Sequence, residues 1–364
     1  MKQKKTSALT ALAIASAITL AACGGGGGGS DSTGAAAPAS SPSGGSSPQT
    51  SIPPKTSVPP TTFPATTAQA AAFAQINANR LAMGVGEVSQ DPILDTSAAK
   101  HATYLATNLQ NGNLTALSHD ENSAFPGFFA ATPLARADLA GAPATEWIGE
   151  VAGSDVLQPD AATTASNCVN GYFDTVYHLQ SIAGPQETVG IGFDQNSTLY
   201  TCVFDFGQTT GVFGTPVEGG LLQGAGQQMP ANAIAAWPLP NATGLPTAMK
   251  AESPNPAPDL AGPGTPVMIM VNAAAAGDAL TVTNFTLSGP GGANVPARII
   301  LPSAALTGST AAATADVNNA LNAGSAFLLP LAPLSPNTTY TVVFSGARDG
   351  TPISKTWSFS TGAN

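Results

Sequence analysis

The chain has 364 residues, of which only 9% are charged, and it carries a formal net charge of -10. A surface that binds the phosphates of nucleic acid needs clustered lysine and arginine side chains, so this acidic composition argues against a nucleic-acid partner. The hydrophobic fraction of 43% is sufficient for folded cores. The length predicts about two domains with additional tails.

The first 22 residues have the pattern of an export signal. Three lysines precede an apolar run from residue 8 to residue 20, which has the size of a signal-peptide core and is too short for a spanning helix. Leu20-Ala21-Ala22-Cys23 follows, and it resembles the lipobox of bacterial lipoproteins. The resemblance implies that residues 1–22 are removed and that Cys23 is acylated, so that its lipid anchors the chain to a membrane of the cell envelope.

The residue after this cysteine indicates the membrane in which the lipid anchor is expected. Position 24 is Gly, whereas Asp usually retains such lipoproteins in the inner membrane. We therefore expect an outer-membrane lipoprotein that faces either the periplasm or the outside. A plain secretory signal, in which Cys23 has no role, is the alternative, because small residues precede the cleavage site in both routes.

Residues 23–66 form a low-complexity segment rich in Gly, Ser, Pro and Thr. Such a composition offers too few apolar side chains to offset the entropy of ordering the chain. The segment is therefore predicted to be a disordered tether between the anchor and a first domain at residues 67–210.

Two helices are predicted at the start of that domain. Apolar residues with helical spacing occur from residue 68 to residue 81, and a second helix begins at Pro92, with Asp91 as its N-cap, and ends at residue 111. His101 belongs to the apolar stripe of the second helix, and we interpret it as a partly buried helical residue and not as a ligand.

The rest of this domain alternates between irregular and regular segments. Residues 114–157 are loop-rich with a short strand near 147–153, a third helix is predicted from residue 161 to about 179, and a hairpin is predicted from strands at 188–193 and 199–206. Helices on either side of a small antiparallel sheet predict an α+β fold, in particular a three-layer α-β-α sandwich.

Three polar residues in this region share one chemistry. His119 lies in Ser118-His119-Asp120-Glu121, Glu150 follows Gly149, and His178 ends the third predicted helix. Two imidazoles and a carboxylate are a sufficient ligand set for a zinc-like ion with an open position for water. Their spacing alone is weak support, because no short helical metal motif is present, and three unrelated histidines are the alternative.

Residues 73–207 resemble the CAP superfamily, also called the SCP domain, in its bacterial form. The family comprises cysteine-rich secretory proteins, antigen 5 and plant pathogenesis-related proteins. The matching pieces occur in family order: Ile76-Asn77-Ala78-Asn79-Arg80 with Gly84; Asp91-Pro92-Ile93-Leu94 with Ala98 and His101-Ala102; Ser118-His119; Arg136 with Gly141; Gly149-Glu150; Tyr172 to His178; and Val189-Gly190-Ile191-Gly192-Phe193. The resemblance implies the same α-β-α sandwich.

The resemblance also implies a cleft with two histidines and two acidic residues, which in several members binds Zn²⁺ or another divalent cation. His119, Glu150 and His178 match this set. Thr175 stands where animal and plant members have a second glutamate, and bacterial forms usually have serine there. Glu121 is the candidate for a replacement carboxylate.

Two functions follow from this cleft. We favour binding of a lipid or of a partner protein, with Phe125, Phe128, Phe129 and Trp147 as candidate aromatic contacts. For each of these aromatic residues taken singly, an ordinary core position is the preferred explanation. The alternative is a metal-dependent hydrolase or peptidase in which Glu150 or Glu121 is the base. Whether the protein is an enzyme is left open, with binding preferred.

Cys168 and Cys202 are the two cysteines that remain after lipidation. In an exported protein an even pair predicts a disulfide, here between the third helix and the last strand, worth about 4 kcal/mol in the chain-entropy model. Two buried thiols are the alternative.

The last third of the chain has a different pattern. Residues 211–260 are a linker or the start of a second domain, and residues 261–364 contain short β-rich runs separated by turn residues, which is typical of a β-sandwich. The runs are 267–271, 280–287, 297–301, 326–329, 338–344 and 354–359. The sequence from Leu334 to Tyr340 resembles bacterial immunoglobulin-like domains, which implies an Ig-like sandwich with a spacing or adhesive role.

Overall fold

A computed structural model describes residues 51–275 and 277–363 of the protein, and these residues belong to one compact unit. The predicted signal peptide, Cys23 and the first part of the predicted tether lie outside them. Helices and strands both occur, as expected for an α+β fold. Within the described ranges, no helix combines the length and the apolar character needed to cross a bilayer.

The first part of the described chain consists of five helices and a four-stranded sheet. In chain order its elements are α1 (Ala68–Met83), β1 (Ser89–Gln90), α2 (Pro92–Gln110), α3 (Pro133–Ala140), β2 (Trp147–Val156), α4 (Ala161–Phe173), α5 (Tyr177–Ile182), β3 (Thr188–Gln195) and β4 (Leu199–Gln208). The strand order is β1-β3-β4-β2. β1 pairs with β3 in parallel, and the other pairs are antiparallel.

Two differences from the predicted helices concern the region of the site. The predicted third helix is interrupted after Phe173, so that α4 and α5 are separate helices with Asp174 as the C-cap of α4. The short helix α3 lies in a region that the sequence predicts as loop. The start of α2 agrees with the prediction, since the side chain of Asp91 accepts a hydrogen bond from the N–H of Ile93 at 2.8 Å.

Helices pack on both faces of this sheet. Adjacent residues of a strand point to opposite faces, and Ala152 and Val203 pack with α2 while Val151 and Phe204 belong to the core formed with α1 and α4. On the α2 side the approach is very close, since a Cβ at Gly190 would lie 2.0 Å from the carbonyl carbon of Leu94. Glycine at this position therefore permits α2 to pack directly on β3.

The second part of the described chain is built from β-strands in two sheets. Its strands are β5 (Ala235–Trp237), β6 (Val267–Met270), β7 (Leu280–Ser288), β8 (Ala297–Leu301), β9 (Ala313–Ala315), β10 (Ser325–Pro330), β11 (Thr339–Arg348) and β12 (Thr351–Ser360). The sheet orders are β5-β6-β10-β8-β9 and β12-β11-β7. All six predicted strands are present, with shifted ends in most cases, and β5 and β9 are additional.

The two parts share a hydrophobic core. The ring of Phe173 in α4 lies 4.4 Å from that of Trp237 in β5, measured between centroids. Met268 and Met270 of β6 face this common core, while Val267 and Ile269 face the three-stranded sheet. The five-stranded sheet is thus buried on both faces, and the helical part covers one of them.

Residues 51–66 differ from the predicted disordered tether. The N–H of Ile52 donates to the carbonyl of Gly226 at 2.9 Å, and the N–H of Lys55 donates to Oε1 of Gln227 at 2.6 Å. Phe63 packs against the shared core. Composition underestimated the order of this stretch because its backbone groups find partners in distant parts of the chain.

Candidate functional site

A cluster of polar side chains lies beneath α2, on strands β2 and β4. Glu150 and Asp205 are directly paired residues of these antiparallel strands. Because side chains alternate along a strand, Glu150 shares the α2 face with Ala152, and Asp205 shares it with Val203. Two carboxyl groups are therefore buried side by side under the helix.

Glu150 is held by two basic side chains. His119 Nδ1 lies 2.7 Å from its Oε1 atom, and Arg136 Nη2, from α3, donates to its Oε2 atom at 2.6 Å. The Glu150 side chain is only 1% exposed. Burial by itself would raise the pKa of Glu150, but attraction from His101, the hydrogen bond from His119 and the charge of Arg136 lower it to about 2.

His119 connects this cluster to the surface. Its side chain is 49% exposed, and its contact with Glu150 is made by Nδ1, which leaves Nε2 for a ligand. The hydrogen bond to Glu150 raises the pKa of His119 above the ordinary value of 6.5, against the effect of burial. An imidazole oriented by a buried carboxylate can serve as a hydrogen-bonding group or as a base.

His101 is completely buried and supports the segment that carries His119. Its Nδ1 atom is 2.9 Å from Oε1 of Glu121, and its Nε2 atom is 2.9 Å from the carbonyl of Ser118. Each ring nitrogen therefore faces a hydrogen-bond acceptor. The sequence interpretation of His101 as a partly buried helical residue understated its role, since it ties α2 to residues 118–121.

Neither carboxylate that the sequence nominates as a base reaches the surface. The Glu121 side chain is fully buried, with its Oε2 atom bound by the N–H of Phe129 at 2.7 Å and its Oε1 atom near Arg136 Nη1 at 3.8 Å. Glu150 is buried to a similar degree. His119 is the member of this cluster that meets solvent.

Asp205 is the buried acid that the sequence reasoning missed. Burial and the charge of Glu150 raise the pKa of Asp205 well above its ordinary value of 3.8, which favours the protonated form of this carboxyl group. Among the described residues, neither of its oxygens has a hydrogen-bond partner. The signal was present in the sequence, because strict alternation along β4 places this acid between Val203 and Gly207 on a buried face.

His178 stands in a second, separate arrangement. Its Nδ1 atom is 3.1 Å from Oε2 of Glu252, and the hydroxyl of Thr175 lies 3.3 Å from the same nitrogen. Glu252 comes from the segment between β5 and β6 of the second part of the fold, 74 residues after His178. The sequence offered no pattern that would place this glutamate at the site.

One cavity of about 480 Å³ brings the two histidines together. Apolar and aromatic side chains make up much of its lining, and the residues that matter here are Leu117, His119, Ala152, Tyr172, His178, Tyr200 and Glu252. The disulfide between Cys168 and Cys202 joins α4 to β4 at this cavity, as predicted from the cysteine count. The cavity thus lies between residues 116–119, the exposed edge of β2 and the start of α5.

The predicted metal ligands fit a cation only in part. Both oxygens of Glu150 are already engaged, by His119 and by Arg136, and a cation would have to displace one of these contacts. No group of three His, Cys, Asp or Glu side chains with metal-binding geometry occurs in the described part of the chain. The two imidazoles remain plausible ligands by chemistry, and Glu150 does not fit beside them in this arrangement.

The predicted aromatic contacts lie away from this cavity. Trp147 is buried, and Phe128 is 38% exposed. Phe125 packs against the small core under α2, and the ring of Phe129 lies 5.9 Å from Nζ of Lys100. The aromatic groups at the cavity are instead Tyr172 and Tyr200.

Comparison of the sequence with models of known protein families finds no match. Comparison with curated proteins finds no match either.

Proposed function

We propose that this chain is a CAP-type protein of the cell envelope, anchored through a lipid on Cys23, with an Ig-like sandwich packed on its CAP domain. In this proposal it binds a small amphiphilic ligand in the cavity between His119 and His178. The helices on both faces of the first sheet and the order of the resembling sequence pieces support the CAP assignment. The two packed sheets of the second part support the Ig-like assignment.

The observation that carries the proposal is the cavity itself. Its volume of about 480 Å³ lies within the range of small-molecule sites, which combine apolar walls with a few polar groups. Tyr172, Tyr200 and Leu117 provide apolar surface, and the two imidazoles provide polar contacts at one place. A lipid with an acyl chain and a polar head matches this combination.

A concave site also favours a lipid over a partner protein. Stable protein interfaces bury roughly 800 Å² on each side over a broad surface, whereas the two histidines here line a recess. His119 has a raised pKa, and its cationic form would attract an acidic head group. We therefore take a fatty acid as the first ligand class to test.

Titration of a dansyl-labelled undecanoic acid into the protein tests this function by fluorescence. Ser154→Trp places a large side chain in the cavity, and Val156→Trp is the matched control, because Val156 lies on the same strand and is 65% exposed outside the cavity. We expect saturable binding that Ser154→Trp abolishes and Val156→Trp preserves. Equal binding by both variants would overturn the cavity as the site.

A second candidate function, hydrolysis, rests on the contact between His119 and Glu150. A buried carboxylate that orients an imidazole is the arrangement of a general base, and no metal is required for it. The metal-dependent form of this hypothesis, with Zn²⁺ or another divalent cation, is tested by elemental analysis of the purified protein. Cleavage of p-nitrophenyl butyrate that His119→Ala abolishes would establish catalysis, and activity equal to buffer would leave binding as the function.

A further inference from the structure

The segment 250–253 forms one wall of the cavity although it lies outside the region that resembles the CAP domain. The backbone fixes it on one side, since the N–H of Lys250 donates to the carbonyl of Asp174 at 2.9 Å. The Lys250 ammonium group lies 2.7 Å from Asp155 at the end of β2. The wall is thus attached to both α4 and β2.

Glu252 is the buried acid of this wall. Its two oxygens accept hydrogen bonds from the backbone N–H groups of Val176 at 2.6 Å, Tyr177 at 3.0 Å and His178 at 3.4 Å. The Glu252 side chain is 0% exposed, and its Oε2 atom lies 3.1 Å from His178 Nδ1. Both oxygens therefore face only donors, which suits a carboxylate and no other side chain of this size.

The helix that carries His178 is held from its other side by the second part of the fold. The hydroxyl of Tyr177 donates to Asp316 and accepts from Asn318 at 2.9 Å. The side chain of Gln180 donates to the carbonyl of Ala320 at 3.1 Å. The place of α5 is thus determined by residues that follow the first sheet in sequence.

We infer that Glu252 is a positioning residue of the ligand cleft. It fixes His178 through Nδ1, leaves Nε2 for the ligand, and supplies a carboxylate next to Thr175, the position at which animal and plant members of the CAP superfamily have a glutamate. The inference rests on the proposed ligand-binding function. It makes the cleft a joint product of the two parts of the chain, with the segment 250–253 as an essential wall.

Glu252→Gln tests this inference in the full chain. An amide nitrogen in place of one oxygen would face backbone N–H donors, so the side chain can no longer hold the ring. Glu218→Gln is the matched control, because Glu218 also comes from beyond the first sheet and accepts a hydrogen bond from the N–H of Leu134, at 3.3 Å, outside the cavity. Imidazole ¹⁵N chemical shifts of His178 measure its tautomer, and titration with the dansyl-labelled fatty acid measures ligand binding in the cleft.

We expect Glu252→Gln to shift His178 from the Nδ1–H tautomer toward a mixture and to weaken probe binding about tenfold, which corresponds to about 1.4 kcal/mol, the size of one hydrogen bond. Glu218→Gln should change neither the tautomer of His178 nor the affinity for the probe. Glu252→Asp keeps a carboxylate and should therefore retain part of the wild-type tautomer preference and of the wild-type affinity. An unchanged tautomer in a folded Glu252→Gln protein would overturn the inference. If the tautomer changes but the variant binds the probe as tightly as the wild type does, the inference is also overturned. If the wild type does not bind the probe and Glu252→Gln still shifts the tautomer, the result counts against the proposed ligand alone.

Discussion

His119 and His178 line the same cavity, and each presents its Nδ1 atom to a carboxylate, at 2.7 Å from Glu150 and at 3.1 Å from Glu252. The two carboxylates differ in origin. Glu150 lies on the central sheet of the same region, 31 residues from His119, and is balanced by the charge of Arg136. Glu252 comes from a later segment and is balanced by backbone N–H groups.

The difference shows that similar local chemistry can be supported in two ways. The His119 side depends on a buried cluster of charged and polar groups, in which Arg136 and His101 lie among the carboxyl groups of Glu121, Glu150 and Asp205. The His178 side depends on where the chain returns after leaving the first sheet. Changes to the second part of the fold should therefore affect the two histidines unequally.

The largest expected effect is that of removing residues 211–364. The fragment would lose Trp237 and the apolar residues of β6 from the shared core. Loss of a buried tryptophan alone costs about 3–5 kcal/mol, which is a large part of the 5–15 kcal/mol that typically stabilises a domain. We expect the fragment to show no cooperative thermal unfolding by circular dichroism.

Trp357→Ala in the full chain is the matched control for this truncation. Trp357 is buried in the core between the two sheets and not in the shared core. Its loss should destabilise the protein by a similar amount and leave probe binding in the cleft intact at temperatures where the variant is folded. A fragment 1–210 that unfolds cooperatively would show that the first part is an independent domain.

Most of the elements and residues around His119 could be predicted from the sequence. The N-cap at Asp91, the strand that carries Glu150 and the hairpin of β3 and β4 follow from local patterns, and the ordered pieces of the resemblance selected His119, Glu150 and His178. All these signals lie within short stretches of chain. Alternation along β4 would also have revealed Asp205, had the acid within an apolar run been taken as buried.

The His178 side could not be predicted in the same way. Glu252 lies in a proline-rich stretch without periodicity, and only the folded chain brings it 3.1 Å from His178. The break between α4 and α5 is equally non-local, because Glu252 accepts the N–H groups of residues 176–178 that start the new helix. Tertiary contacts of this kind override local helical preference.

The next effect in size should come from Glu150→Gln, which leaves Arg136 buried beside a neutral side chain. Breaking a buried ion pair by removing one partner typically costs about 3 kcal/mol or more. The pKa of His119 should fall toward its ordinary value of 6.5, because the carboxylate that raises it is gone. Urea unfolding and NMR titration of His119 measure the two effects.

The loss of stability caused by Glu150→Gln should depend on pH. The raised pKa of His119 means that its contact with Glu150 contributes fully below pH 6.5 and is lost as the pH rises through the folded pKa. The difference in stability between wild type and Glu150→Gln should therefore shrink across that interval. Glu252→Gln is the comparison, since it should leave the titration of His119 unchanged, and a shift there would mean that the two sides are coupled.

The only stabilising effect is expected for Asp205→Asn. In the wild type the folded state retains the proton of Asp205 while the unfolded chain releases it near pH 3.8, so stability falls as the pH rises above that value. Asparagine has nearly the same shape and avoids this cost. The gain should be absent at pH 3 and grow by up to about 1.4 kcal/mol for each pH unit above 3.8.

Urea unfolding at several pH values measures this gain, with the exposed Asp138→Asn as the control for removing a carboxyl group. If Asp205→Asn shows no pH-dependent gain, Asp205 is ionised in the folded protein, and the charge cluster then carries one more negative charge than we assign. In that case the positive charge of Arg136, which already acts on Asp205, would be shared with a second buried carboxylate. The proton on Asp205 thus determines how much of the positive charge of Arg136 remains for Glu150, whereas Glu252 beside His178 has backbone N–H groups as its other partners.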